Sequence, residues 1–146
     1  MADATQYLRL TFAGATYLLP STAGFTIEQR ENLQVSNAPN ERVSAWRATR
    51  TGRWPAYALN SEFQVTRRND WQRAVFVEAM PHALGIIVDD VHLLPRAQVQ
   101  VSPFTPLGPP ATRAGHLFSG AWISDREVTL VLEPQAFVSY LQGLGG

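Results

Sequence analysis

The chain is 146 residues long, enough for one domain with a real core, and 45% hydrophobic with 16% charged residues it is globular, not disordered. Twelve basic residues balance twelve acidic ones, which argues against nonspecific binding to nucleic acid. Every basic residue is arginine and cysteine is absent; this excludes a lysine Schiff base, a P-loop lysine, a thiolate nucleophile, a disulfide and cysteine-ligated zinc.

Met1 to Gln6 is polar with no apolar signal core, and no apolar run approaches the length of a membrane span. A cytoplasmic location is therefore expected, with residues 1–6 flexible. Tyr7 to Phe12 alternates, placing Leu8, Leu10 and Phe12 on one face. Ala13-Gly14-Ala15 turns the chain, Thr16 to Leu19 returns as a strand, and Pro20 ends it. Ser21 to Ile27 is ambiguous: Ser21 or Thr22 suits the cap of a short helical turn, which Gly24 weakens. Glu28 to Asn32 reads as a charged, solvated stretch, and Asn37-Ala38-Pro39-Asn40 as a loop.

Val43 to Thr49 is expected to be a strand with Val43 and Ala45 inward. It turns at Thr51-Gly52 and returns as Arg53 to Leu59, where Pro55 argues for an edge or a bulge. Asn60 to Asp70 is polar, anchored only by Phe63 and Val65. Trp71 to Ala79 reads as a strand that pairs, through Met80-Pro81-His82-Ala83, with the run Gly85-Ile86-Ile87-Val88-Asp89-Asp90-Val91. That run has no helical period and reads as a strand buried on both faces, ending at a turn or bulge. Gly85 marks a bend or a close approach of another backbone.

Leu93 to Ala111 is proline-rich, with Val99 and Val101 suited to a short edge strand and the rest, including residues 103–110, a loop. Leu117 to Ile123 and Glu127 to Leu132 form a last hairpin around Ser124-Asp125-Arg126. Pro134 suits the first turn of a helix, where Phe137, Tyr140, Leu141 and Leu144 make one apolar stripe; Gly143, Gly145 and Gly146 fray its end. Roughly nine or ten short strands and one terminal helix imply small barrels or a sandwich, and no solenoid repeat is visible.

Few residues suggest chemistry. His82, His92 and His116 fit no HExxH-like spacing. Asp90 and His92 project from one strand face; an exposed or structural pair is favoured over a metal site. Asp89 and Asp90 point to opposite faces of a regular strand. No GxSxG elbow and no glycine-rich phosphate loop occurs. An enzyme on a small barrel would need His92 or His116 bonded to a buried serine. The most unusual polar stretch is Trp46-Arg47-Ala48-Thr49-Arg50-Thr51-Gly52-Arg53-Trp54, three arginines three apart between two tryptophans. Three readings stay open: a protein-recognition surface, a solvated hairpin with its tryptophans in the core, and an anion site. The last includes a sensor binding a cyclic dinucleotide through Arg47, Arg50 and Arg53.

Several stretches, in order over nearly the whole chain, resemble the CheW-like chemotaxis adaptor domains. Phe12-Ala13-Gly14 and Tyr17-Leu18-Leu19-Pro20 resemble the family's first two strands, and Ala38-Pro39 with Val43 its next loop. The segment Gly-x-x-x-x-Arg-Gly-x-x-x-Pro-x-x-Asp-Leu reads here as Ala45, Arg50, Thr51, Pro55, Ala58 and Leu59. The arginine, proline and leucine match; both glycines and the aspartate are replaced, with Gly52 one position late. Gly85 to Val91 matches Gly-x-x-Val-Asp-x-Val. Leu117-Phe118-Ser119-Gly120 and Leu130-Val131-Leu132-Glu133 resemble the closing strands, with glutamate for the usual aspartate.

The resemblance implies a mainly β protein: two intertwined small five-stranded β-barrels sharing a hydrophobic core, with a C-terminal helix, forming one domain over 1–146. It implies no enzymatic activity, no cofactor, no metal, no nucleic acid and no membrane insertion. The implied partners are a methyl-accepting chemoreceptor and a CheA-type histidine kinase, in a flagellar or a type IV pilus and surface-motility pathway. The implied location is the cytoplasm, with recruitment to membrane-associated receptor arrays. Arg50 falls in the segment used for receptor contact, with Thr51, Arg47 and Arg53 beside it.

Overall fold

Alternation in the first strand does what its pattern requires. Leu8, Leu10 and Phe12 of β1 (Gln6–Phe12) turn inward, and the chain returns as β2 (Ala15–Pro20) through Ala13 and Gly14, at φ 53° and 77°. Two positive angles give the twist that a two-residue hairpin needs. This is a computed structural model, and it describes residues 6–21, 24–38, 41–79, 82–105 and 116–145. The expectations for residues 1–5, a cap at Thr22, Pro39-Asn40, Met80-Pro81, residues 106–115 and Gly146 lie outside these, as do the side chains of His82 and Leu144.

After β2 the chain leaves its sheet and builds a second one. The strands there are β3 (Gly24–Gln29), β4 (Gln34–Val35), β5 (Ala45–Thr49), β6 (Gly52–Leu59), β7 (Val65–Thr66), β8 (Arg73–Ala79) and β9 (His82–Val88). It then returns to the first sheet with β10 (Asp90–Pro95), β11 (Val101–Pro103), β12 (Phe118–Ser124) and β13 (Glu127–Leu132). Helix α1 (Pro134–Gly145) follows. The protein is mainly β, as expected.

The first sheet has six strands in the order β10-β1-β2-β13-β12-β11; the second has seven, in the order β3-β8-β9-β6-β5-β4 with β7 paired to β6. The counts exceed five per barrel because short strands such as β4, β7 and β11 extend each ladder. The two orders match position for position. Each sheet holds two antiparallel hairpins joined by one parallel pair, β2 with β13 and β6 with β9. In each, a 3-10 turn links the two outer strands: Arg30–Asn32 from β3 to β4, Arg96–Gln98 from β10 to β11. Both sheets therefore curl until their edges lie one short turn apart, which protects edges from adding a foreign strand.

The expected single strand from Gly85 to Val91 is two strands. β9 ends at Val88, Asp89 bends, and β10 begins at Asp90 in the other sheet. The Asp89 N–H, donating to Thr11 O at 2.7 Å, is the stitch that hands the chain across. Asp89 thus lies in a bend and not opposite Asp90 on a regular strand. The ambiguous Ser21 to Ile27 stretch resolves as β3, pairing with β8 from Gly24↔Glu78 to Gln29↔Arg73. Glu28, expected to be solvated, lies in β3. Pro55 is not on an edge strand, because β6 runs between β5 and β9; it is tolerated because the β9 ladder covers only Ala56 and Tyr57.

Apolar side chains divide into three clusters. The largest joins both sheets and the helix: Leu8, Leu10, Phe12 and Leu132 from one, Tyr57, Val75, Ile86 and Val88 from the other, and Phe137, Val138 and Leu141 from α1. This is the shared hydrophobic core. A second cluster fills the inside of the second sheet with small residues, Ala45, Ala56, Ala58 and Ala74, around Trp71, Phe76 and Ile87. A third, Leu18, Val99 and Val131, fills the first sheet. Strands β8 and β9 thus separate two cores, which is why Gly85 to Val88 reads as a continuous apolar run. The helix starts at Pro134, and its first turn is capped by Glu133, whose Oε2 accepts the Ala136 N–H at 2.6 Å. The glutamate in place of aspartate still reaches the first turn.

Candidate functional site

The Trp46 to Trp54 stretch forms the β5–β6 hairpin, with Thr49 opposite Gly52 and the turn at Arg50-Thr51, one residue earlier than expected. Thr49 Oγ1 donates to Gly52 O at 2.9 Å and closes the turn. Arg50 and Thr51 are exposed at the tip.

Strand alternation sends the flanking arginines apart. Arg47 pairs with Trp54 on the face of the alanine-lined core, where its guanidinium lies 4.9 Å from the Trp54 ring centre and 6.0 Å from that of Phe76. Its Nε donates to Glu28 Oε1 at 3.1 Å, and the two side chains are only 25% and 21% exposed. Glu28 is on β3 and Arg47 on β5, which are not neighbours in the sheet, so this ion pair spans the mouth of the curl. Arg53 lies on the opposite face, 4.2 Å over the Trp46 ring. Trp46 packs against the shared core and Trp54 against the inner one.

The structure therefore brings Arg50, Thr51 and Arg53 onto one exposed tip and takes Arg47 inward as a brace. The guanidinium groups of Arg47 and Arg53 lie on opposite faces, so the three arginines do not converge on one anion. Each tryptophan carries an arginine on its ring, which rigidifies the hairpin beneath its tip.

Asp90 and His92 form an exposed pair: Asp90 Oδ2 lies 2.8 Å from His92 Nε2, and this bond, with the Val91 N–H, holds the carboxyl below the usual carboxylate range. Among the described residues no group of three or more His, Asp or Glu is placed to hold a metal. His116 is exposed. The one buried serine among the described residues, Ser44, has an Oγ without a hydrogen-bond partner among them.

One feature escapes the sequence reading. A groove of about 520 Å³ opens where the two sheets meet, between Ala13 of the first hairpin, Leu59 and Asn60 at the end of β6, Thr66, Arg68 and Asp89. Arg68 ties it together: its Nη2 donates to Asp89 Oδ1 at 2.6 Å and its Nε to Asp70 Oδ1 at 3.1 Å. Arg67 staples the neighbouring loop by donating to the carbonyls of Ser36, Glu41 and Val43. In sequence the stretch that holds them reads only as polar, because the carbonyls that Arg67 binds are more than twenty residues away.

No protein-family model matches the chain, and no curated protein matches it. Among solved structures, the chain is similar to the scaffolding protein TtCheW from Thermoanaerobacter tengcongensis: 20% identity over 89% of each chain, with a TM-score of 0.59. The fold is CheW-like, in agreement with the expectation from the motif order. No helix among the described residues is long and apolar enough to cross a membrane.

Proposed function

We propose that this protein is a non-catalytic adaptor in bacterial chemosensory signalling, coupling a methyl-accepting receptor to a CheA-type histidine kinase. The observation that carries the reading is the fold likeness to a scaffolding protein over 89% of each chain. The physical character of the surface supports it. The β5–β6 tip is exposed and cationic and stands on two arginine–tryptophan stacks. Arg and Trp in this density suit protein recognition. An adaptor in an array works through several modest contacts, since simultaneous engagement multiplies their strength.

In this reading Arg50 is the principal receptor contact, Thr51 and Arg53 flank it, and Arg47 holds the hairpin from inside. The chain acts as one unit over 1–146, in the cytoplasm, recruited to receptor arrays. Arg50→Ala is expected to weaken receptor capture at least several-fold while the thermal midpoint stays within about 2 °C, as expected for an exposed surface substitution. Equal capture by the variant would remove Arg50 from the site. Affinity capture from native cytoplasm should bring down a receptor and a histidine kinase together; recovery of neither would overturn the adaptor reading.

A further inference from the structure

Phe63 holds φ at 60°, a left-handed conformation that bulky residues rarely adopt, and it is only 7% exposed. Such a residue persists where its surroundings over-determine it, and strain of this kind concentrates at moving parts. Two sets of contacts hold Phe63. On one side is its own turn: Asn60 Oδ1 accepts the N–H groups of Glu62 and Gln64 at 2.9 and 3.0 Å, and the Phe63 N–H donates to Asn60 O at 3.0 Å. On the other side is helix α1, where the Tyr140 hydroxyl donates to Phe63 O at 2.6 Å.

The ring of Phe63 is the centre of an aromatic cluster. It lies 5.3 Å from Tyr17, 5.7 Å from Phe12, 5.8 Å from Phe118 and 6.2 Å from Phe137, ring centre to ring centre. Those partners belong to the first sheet and the helix, whereas the turn joins β6 to β7 of the second sheet. The 60–66 segment, turn and β7 together, supplies a wall of the junction groove through Asn60 and Thr66. One strained residue thus stands between the helix and the groove.

We propose that the 60–66 turn is a two-position clasp through which helix α1 and the junction groove are coupled. With the Tyr140 hydroxyl engaged, Phe63 is pinned at positive φ with its ring in the cluster, and the groove has the shape described. With that hydroxyl released, residue 63 relaxes to negative φ, its ring withdraws, and the Asn60 side of the groove changes shape. Coupling of this kind is reciprocal: whatever fills the groove biases the docking of the helix, and whatever captures the helix biases the groove. The device goes beyond the adaptor reading and stands or falls separately from it.

The test is amide hydrogen exchange on the full chain. Tyr140→Phe keeps the ring and removes the hydroxyl; amides of 62–66 should then exchange about tenfold faster relative to those of β8 and β9, as expected for one lost hydrogen bond. Asn60→Ala acts from the groove side and should accelerate the α1 amides from Phe137 to Leu141 by a similar factor. Asn60→Asp, which keeps an acceptor, should restore them. Effects confined to the element that carries each substitution would overturn the clasp. If Asn60→Ala fails to fold, Tyr140→Phe decides alone: unchanged rates at 62–66 reject the proposal.

Discussion

A methyl group added at Gly85 would lie 2.7 Å from Phe76 Cε1, closer than carbon atoms in a packed interior come, and a tight 3.0 Å from Ala56 Cβ. The glycine is there because the Phe76 ring lies across it from the paired strand. Gly85→Ala should therefore lower stability by about 1–3 kcal/mol, read as a lower urea midpoint at unchanged slope. The sequence marks Gly85 as a place of close approach; that the approaching group is a ring and not a backbone depends on the β8–β9 register. A second residue offers the reverse. Asp125 and Arg126 turn the β12–β13 hairpin at φ 47° and 70° without a glycine. Arg126→Gly should raise stability by about 1 kcal/mol, because an L side chain at positive φ carries a penalty that glycine escapes. Asp90 gives a pH signature. His92 foremost, then the Val91 N–H and the more distant charge of Arg73, hold its carboxyl low, outweighing desolvation. A carboxylate with a depressed pKa adds stability above its ordinary value of about 4, lost as pH falls through the folded value. Acid titration of Asp90→Asn should lack that part of the loss.

Hairpins are the elements that the sequence announces best. β1–β2, β5–β6 and β12–β13 are each a run of alternation, a turn and a second run, so their partners are local and their pattern suffices. β3, β7 and β10 are not announced: β3 and β10 find partners more than forty residues away, and β7 is too short to show a period. β3 shows the failure plainly: its pairing with β8 comes from a segment some fifty residues on, and nothing in Gly24 to Gln29 says so. The Glu28–Arg47 pair is hidden too, because it joins strands that are not neighbours in the sheet, and with it the inward role of Arg47. Replacing Arg47 by alanine leaves a mostly covered carboxylate without its cation and strips both ring contacts; a loss of about 1–2 kcal/mol is expected. A double-mutant cycle with Glu28→Gln should show the two changes to be non-additive. Arg50→Ala, three residues on, should leave stability alone. Of the four arginine-stretch residues named from sequence, the tip was legible by composition, whereas the inward turn of Arg47 required the sheet to be curled.

At the scale of the molecule, resemblance carried what composition did not. Alternation and turn spacing reach a small β protein with one helix; the exchange of strands between two curled sheets came from the order of weak motifs, and the structure agrees with it. No repeat is visible along the chain because the two matching halves are interrupted: the first sheet takes its strands from both ends of the sequence. That exchange makes the N-terminal hairpin indispensable. Leu8, Leu10, Phe12 and Leu19 all lie in the shared core with at most 1% exposure. At about 1.5–3 kcal/mol for each buried side chain, their removal takes away as much as an entire domain's margin of roughly 5–15 kcal/mol. A chain lacking residues 1–20 should show no cooperative unfolding transition by circular dichroism; a sharp transition near the full-length midpoint would contradict the importance given to the hairpin.

The hand-over at Asp89 also sets a schedule for the molecule's birth. As the ribosome releases the polypeptide, the sheet built from residues 24–88 has all its strands once β9 emerges. The hairpin that precedes it in the chain must wait, its edges unpaired, until β10 and then β13 arrive beside it. Of the elements of this fold, the first to be translated is thus among the last to be fully paired, and it is there that a chaperone would be expected to hold the growing chain.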